Sequence, residues 1–181
     1  NKRLWFGDWF GVWRCDDITA DRVSWKTDIR GLEEFCVRNI KPTSGAARIF
    51  IGAMDNCGVT SEDIFDFPNI QFRNPYYQDT NCIDYSENKS DIVARIGGDG
   101  WGSKDGNGGY STDGGFTWQP FETYPARLDN PGMKASNGYL AVASDVNDDG
   151  LATIISTPIN HYVYRSCDYG KTWTKIESLP K

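Results

Sequence analysis

This 181-residue sequence has few of the features of membrane, nucleic-acid-binding or metal-binding proteins. It contains no run of roughly 18 or more apolar residues, so we expect no membrane insertion. Lysine and arginine do not cluster, and the net charge is −6, so we expect no nucleic-acid partner. The single histidine, His161, and the absence of CxxC or Cys/His spacing argue against a metal centre, and no cofactor is expected.

The cysteine content and one sequon point to an oxidising compartment. Five cysteines are present: Cys15, Cys36, Cys57, Cys82 and Cys167. In a secreted protein they would form one or two disulfides and leave an odd thiol. Asn88-Lys89-Ser90 is a glycosylation sequon in a polar turn, which makes Asn88 a candidate modification site. We therefore expect a secreted, extracellular protein.

The chain contains one phrase twice. Ser111 to Trp118 and Ser166 to Trp173 both read S-x-D-x-G-x-T-W, and each follows a β-prone segment. The Asp can accept backbone hydrogen bonds, the Gly tolerates a left-handed backbone, and the Trp can fill a core. The phrase resembles the Asp-box of sialidases, sortilin-type receptors and polysaccharide-cleaving propellers. It predicts a structural role, with sugar binding as the alternative, for Ser111, Asp113, Gly115, Trp118, Ser166, Asp168, Gly170 and Trp173.

The repeat predicts an all-β protein built from about four four-stranded antiparallel blades of a β-propeller. The predicted blade units are residues 1–30, 33–67, 90–122 and 138–178, with no separate second domain. Cys15-Asp16-Asp17 with Trp25 looks like a degenerate third box. The segments 66–91 and 97–108 read as long connections. Because so few blades do not close a ring and the chain lacks an initiator Met, we expect part of a larger propeller assembly.

A second resemblance is carried by an ordered set of motifs. Gly31-Leu32-Glu33-Glu34, residues 42–46 (PTSGA), residues 52–58 (GAMDNCG) and Glu62-Asp63-Ile64 follow one another, and residues 91–97 (DIVARIG) lie downstream. They look like the G-[LIH]-E-E, P-x-S-G-A, G-x-x-D-x-x-G, D-D-[LIV] and [NS]-x-V-V-R-A-G signatures of glycoside hydrolase family 74, the xyloglucanases and related endo-β-1,4-glucanases. Nearly the whole chain resembles a middle portion of such an enzyme.

The resemblance implies a catalytic role for Asp55. In that family two propellers face each other across a cleft, and the Asp of G-x-x-D-x-x-G is the general acid of an inverting reaction. Because Asp55 follows the apolar strand 49–51, we expect it at a strand end and partly desolvated, which would raise a carboxyl pKa. The base belongs to an R-T-D-I-G-G motif. Residues 26–31 (KTDIRG) resemble it only superficially, so the base is expected on a missing propeller and the isolated chain is expected to be inactive.

The partners implied are a β-glucan such as xyloglucan and the remaining propeller of the same protein. Candidate sugar contacts are Asn56 and the flat rings of Trp9, Phe10, Trp101 and Tyr110. Asn56-Cys57 departs from the family's G-D-I-G-G, and Cys57 suggests a disulfide with Cys36 or Cys82, or an altered site. Asp145 to Gly150 is similar to the first half of a calcium loop, although a hairpin turn is the favoured interpretation.

Three alternatives remain open from the residues alone. Asp55 can be a turn-forming residue with no catalytic role. The whole chain can be a non-catalytic propeller that binds glycans or assembles at a cell surface. A sialidase-type exo-hydrolase is a third interpretation, which the Asp-boxes alone do not establish.

Overall fold

The structure is a computed structural model, and it describes residues 2–8, 11–30, 35–44, 48–68, 70–98, 107–125, 138–158 and 161–179. The chain divides into two compact units, residues 1–35 and 36–181. Within the described ranges, no helix is long and apolar enough to cross a membrane.

The first unit contains a three-stranded antiparallel sheet in the order β1-β2-β3. Its strands are β1 (Leu4–Asp8), β2 (Gly11–Cys15) and β3 (Lys26–Thr27). Arg14 of β2 bonds Asp28 at 3.0 Å and Asp16 at 3.1 Å, which links the residue after β3 to the start of the connection that follows β2.

The second unit contains three four-stranded antiparallel sheets, each made from four consecutive strands. The second sheet holds β4 (Val37–Pro42), β5 (Ile49–Ala53), β6 (Gly58–Ser61) and β7 (Ile70–Gln71). The third holds β8 (Asp79–Ser86), β9 (Lys89–Gly98), β10 (Asn107–Ser111) and β11 (Gln119–Pro120). The fourth holds β12 (Gly138–Val146), β13 (Ala152–Pro158), β14 (Tyr164–Ser166) and β15 (Thr174–Lys175).

The all-β fold class is confirmed, and the described part of the first sheet has three strands. One predicted detail is wrong. The segment 66–91 is not a long connection, because it contains β7 and the whole of β8, so the third sheet begins at Asp79 and not near residue 90. Of the other supposed connection, residues 99–106 lie outside the described residues.

Burial follows from the stacking of the sheets within the second unit. The third sheet lies between the second and fourth, and β9 is continuously buried from Ile92 to Gly98 because neighbours cover both of its faces. Alternate β9 side chains enter two cores: Ile92, Ala94 and Ile96 pack toward the fourth sheet, and Val93 packs toward the second. In the fourth sheet β13 alternates between buried and half-buried residues, as expected for a sheet covered on one face.

The two S-x-D-x-G-x-T-W segments fold into the same turn, named here the repeat turn. In the first copy the Ser111 hydroxyl donates to Asp113 at 2.7 Å and accepts from the Gly115 N–H at 2.8 Å. Both the N–H and the hydroxyl of Thr117 donate to the Asp113 carboxylate. The second copy has the same bonds at Ser166, Asp168, Gly170 and Thr172, and their lengths agree with those of the first copy within 0.1 Å.

Each repeat turn also packs against the preceding sheet. A Cβ at Gly115 would lie 2.6 Å from Thr60 Oγ1 of the second sheet, and one at Gly170 would overlap the Phe121 ring of the third. The indole of Trp118 meets Phe72 at 4.9 Å between centroids, and that of Trp173 meets Phe121 at 5.5 Å. The repeat turn therefore joins neighbouring sheets as well as its own two strands.

A weaker form of the same phrase ends the equivalent strand of the second sheet. Ser61 closes β6, and its hydroxyl donates to the Asp63 backbone carbonyl at 2.6 Å while the Asp63 carboxylate accepts from the Phe65 N–H. In the first sheet Cys15 closes β2, and Asp17 accepts from the N–H and hydroxyl of Thr19. In both, the Asp bonds two residues ahead instead of four, so the predicted degenerate box at residues 15–17 is a shorter turn.

Candidate functional site

Asp55 lies on the turn of residues 54–57 that joins β5 to β6, here called the Asp55 turn. Its backbone is tightly folded: the Asn56 N–H donates to the Met54 carbonyl at 2.7 Å, and the Gly58 N–H donates to the Asn56 carbonyl at 2.6 Å. Asp55 and Cys57 have φ values of 63° and 62°, which non-glycine residues rarely adopt. Such conformations persist only where surrounding contacts hold them, and they concentrate at functional sites.

The contacts that hold the turn come mostly from residues 76–79, just before and at the start of β8. The Asp79 carboxylate accepts from the Asp55 N–H at 2.9 Å, and the Tyr76 hydroxyl donates to the Asp55 carbonyl at 3.2 Å. The Cys57 N–H donates to the Gln78 carbonyl at 2.8 Å. Asp79 is buried, so its carboxylate is a fixed acceptor beneath an exposed Asp55.

One described side chain donates to the Asp55 carboxylate. The Gln78 amide nitrogen lies 2.8 Å from Asp55 Oδ1. Gln78 is half-buried and Asp55 is exposed, so the carboxyl group stands at the surface of the sheet end with its second oxygen open. The position at a strand end is as predicted, but the expected partial desolvation of Asp55 is wrong, because the second and third sheets support the turn from below without covering the carboxylate.

Beneath the Asp55 turn lies Arg95 of β9, a fully buried cation with 0% of its surface exposed. Its guanidinium carbon lies 4.6 Å from the Trp118 ring centroid, 5.1 Å from Tyr77 and 5.2 Å from Phe72. Burial lowers the pKa of Arg95 below its usual range, while the nearby Cys57 opposes this shift. The aromatic faces attract the cation in place of a carboxylate.

Arg95 also holds the Asp55 turn by hydrogen bonds. One guanidinium nitrogen donates to the Cys57 sulfur at 3.0 Å and the Thr80 hydroxyl at 3.2 Å, and the other donates to the Pro75 carbonyl at 2.6 Å. Cys57 is thereby turned into the core and away from solvent. The turn therefore has an exposed acidic side at Asp55 and a buried cationic support at Arg95.

No disulfide forms at this site, and the expectation of one is wrong. All five cysteines are free thiols. Cys57 is directed at Arg95, the Cys82 thiol contacts the Leu140 backbone between the third and fourth sheets, and Cys36 lies 3.7 Å from the Met54 sulfur. Each sulfur thus has a different partner, which explains why neither Cys36 nor Cys82 pairs with Cys57.

The proposed sugar contacts are only partly within the described residues. Trp9, Phe10 and Trp101 lie outside them. Asn56 is exposed beside Asp55. Tyr110 is not a free platform, because its ring stacks on Tyr169 with centroids 4.6 Å apart.

Two further candidate positions have clear surroundings. Asn88 is exposed in the turn between β8 and β9, where its amide donates to Asp145 at 2.6 Å. The segment 145–150 comprises the end of β12 and the turn that leads to β13, in which the Asn147 side chain accepts from the N–H groups of Asp149 and Leu151. These bonds fit the hairpin interpretation of that segment rather than the calcium loop.

Comparisons with known proteins agree with this architecture. The chain is 30% identical over 190 residues to a protein of Neosartorya fischeri described as a probable oligoxyloglucan-reducing end-specific xyloglucanase, a match that covers 96% of the chain and 23% of that protein. It is 26% identical to a xyloglucanase of a Paenibacillus species, over 99% of the chain and 17% of that protein. No protein-family model matches the sequence.

Solved structures show the same relation. The GH74 xyloglucanase from Xanthomonas campestris superposes with a TM-score of 0.75 over 99% of the chain at 22% identity, which speaks for the fold alone. A GH74 enzyme from Niastella koreensis superposes with a TM-score of 0.65 over 91% of the chain at 27% identity. The chain covers 24% and 21% of those two proteins.

The stacked four-stranded sheets and these structural matches show that the chain has an all-β fold of the β-propeller type. The resemblance to glycoside hydrolase family 74 is confirmed, and the chain corresponds to a portion of a family 74 protein.

Proposed function

We propose that this chain is the acid-bearing part of an extracellular, endo-acting xyloglucan hydrolase. Asp55 is the general acid, and the base is carried by another propeller of the same protein. The observation that carries the proposal is the exposed Asp55 carboxyl on a left-handed turn, held from beneath at both its N–H and its carbonyl. The xyloglucanases named above supply the substrate class.

The proposed reaction is inverting hydrolysis. Asp55 donates a proton to the glycosidic oxygen, while the base removes a proton from a water molecule that attacks the anomeric carbon from the opposite face. The carboxyl groups of inverting enzymes stand about 6.5 to 9.5 Å apart, which leaves room for that water. Asp79 does not serve as the base in this proposal, because it is buried and its carboxylate bonds the Asp55 backbone.

Both repeat turns have a structural role in this proposal, and neither Asp113 nor Asp168 binds sugar. The support is that each carboxylate is occupied by the hydroxyl and N–H groups of its own turn. Asn88 is the proposed glycosylation site, since it is exposed at a hairpin tip.

The central test replaces Asp55 with Asn in the full-length protein. Release of reducing ends from xyloglucan should fall by at least about 100-fold, because an amide cannot donate the proton. The control is Asp63→Asn, at the far end of β6, where the amide keeps the acceptor for the Phe65 N–H. It should leave turnover unchanged, and full activity in Asp55→Asn would dispose of the assignment.

A non-catalytic glycan-binding or surface-assembly module is the second candidate. The exposure of Asp55 favours it, because no described residue supplies the burial that usually tunes a catalytic acid. The same variants separate the two functions: under this alternative, Asp55→Asn changes xyloglucan binding in a titration and the wild-type protein releases no reducing ends.

A further inference from the structure

We propose that Gln78 is a positioning residue that fixes the Asp55 carboxyl and selects the oxygen from which the proton leaves. This inference rests on the proposed function. Gln78 belongs to a segment with no catalytic signature in the sequence, and its side chain donates to Asp55 Oδ1 at 2.8 Å.

The contact is built from both the side chain and the backbone of Gln78. Its carbonyl accepts from the Cys57 N–H at 2.8 Å, and the next residue, Asp79, accepts from the Asp55 N–H at 2.9 Å. Three consecutive bonds thus join residues 78–79 to the Asp55 turn. The Gln78 amide is held in register with the carboxyl group and is not a loose surface contact.

The amide bond distinguishes the two carboxyl oxygens. An N–H donor prefers the more electron-rich oxygen of a carboxylic acid, which is the one without the proton. With Oδ1 occupied by Gln78, the proton resides on Oδ2, the oxygen directed away from that contact. The carboxyl is also fixed in orientation before substrate arrives, which is the condition for efficient proton transfer.

The test uses Gln78→Leu in the full-length protein with two substrates. One is xyloglucan, and the other is an aryl β-glycoside of a xyloglucan oligosaccharide whose nitrophenolate leaving group departs without protonation. On xyloglucan kcat should fall about 10- to 100-fold while KM changes less than about twofold, because a misplaced acid weakens the transition state alone. On the aryl glycoside kcat should fall less than about threefold.

The matched control is Gln71→Leu. The Gln71 amide also reaches the Asp55 turn, but it donates to the Asn56 backbone carbonyl at 3.2 Å and not to the carboxyl. Gln71→Leu should leave both substrates unaffected. Gln78→Asn, whose shorter side chain cannot reach Oδ1, should reproduce the selective loss and serves in place of Gln78→Leu if that variant does not fold.

The outcomes separate this inference from the proposed function. If Asp55→Asn still cleaves xyloglucan, the proposed function fails. If Asp55→Asn is inactive on xyloglucan, but folded Gln78 variants match the wild type or lose both substrates equally, the positioning role of Gln78 is overturned. In the Asp55→Asn background, Gln78→Leu should cause no further loss on the aryl glycoside, and an additional loss would place Gln78 in direct contact with substrate.

Discussion

Asp113 and Asp168 show how a single side chain can set the pH dependence of this fold. Burial, the largest single contribution, raises the pKa of each carboxyl group. The hydrogen bonds from Thr117 or Thr172, from the Ser hydroxyl and from the turn backbone together outweigh it, so both pKa values lie below the usual 3.8. The ionised forms are therefore stabilised by folding.

A carboxyl group whose pKa is lowered by folding stabilises the protein above its unfolded-state pKa. This stabilisation is lost as the pH falls through the folded-state pKa. We expect the free energy of unfolding of the wild type to exceed that of Asp113→Asn/Asp168→Asn most above about pH 4, and the gap to narrow toward about pH 2. Urea denaturation across that range measures it.

Thr117→Val and Thr172→Val provide the comparison for this experiment. They remove the hydroxyl donors but keep the backbone N–H donors, so the pair should behave between the wild type and the double Asn variant. A gap that stays constant with pH would contradict the argument.

At the residue scale, the sequence predicted the place of Asp55 but not its surroundings. A local motif specifies a turn after β5, which is what the structure has. Gln78, Asp79 and Arg95 contact that turn from later in the chain, and no periodicity or spacing links them to it. These contacts exist only in the folded structure. The sequence could therefore not predict that Asp55 is exposed to solvent or that Cys57 forms no disulfide.

At the element scale, the repeat turns connect sheets, and both require glycine where they meet the preceding sheet. Gly170 and Gly150 have similar backbones, with φ values of 79° and 76°. A Cβ at Gly170 would overlap the Phe121 ring, whereas one at Gly150 meets nothing within 4 Å. The two glycines therefore form a matched pair that separates backbone strain from packing.

Gly150→Ala should lower the free energy of unfolding by about 1 to 2 kcal/mol, the cost of a left-handed backbone in a non-glycine residue. Gly170→Ala should lose the same amount plus about 1 to 3 kcal/mol for overpacking against Phe121. Chemical denaturation measures both. Equal losses would show that the turn of the fourth sheet does not press on the third.

Strand prediction succeeded where one face is apolar and failed where polar groups are buried. β13 alternates between buried and half-buried residues, a pattern typical of a strand, whereas β8 carries the polar residues Thr80, Asp84 and Ser86 and lies in a segment predicted to be a connection. Its polar groups are satisfied by distant partners: Arg95 donates to Thr80, and Asp84 bonds Lys41 and the Val142 N–H. Because these hydrogen-bond partners come from neighbouring strands and sheets, they leave no pattern in the sequence of β8 itself.

At the scale of the whole molecule, the chain covers between 17% and 24% of each relative compared above. The repeat and the motif order predicted the fold class and family. The separation of residues 1–35 as their own compact unit was not predicted, because their strands carry the same aromatic and alternating pattern as the others.

The isolated 181-residue chain should release no reducing ends from xyloglucan, because an acid without a base cannot activate water. The full-length protein under the same conditions is the positive control, and circular dichroism verifies that the isolated chain is folded. Turnover by the isolated chain would place the base within these residues.

Arg95 connects the aromatic core between the second and third sheets to the Asp55 turn at the surface. Its guanidinium packs against the rings of Phe72 and Trp118 from the second and third sheets. The same group donates a hydrogen bond to Cys57, which lies two residues from the proposed acid. Arg95 therefore contacts both the buried rings of the core and the turn that carries the proposed acid. If warming loosens the packing of these rings around Arg95, the proposed hydrolase activity should be lost while the strands are still folded. Heat inactivation should then occur at a lower temperature than unfolding.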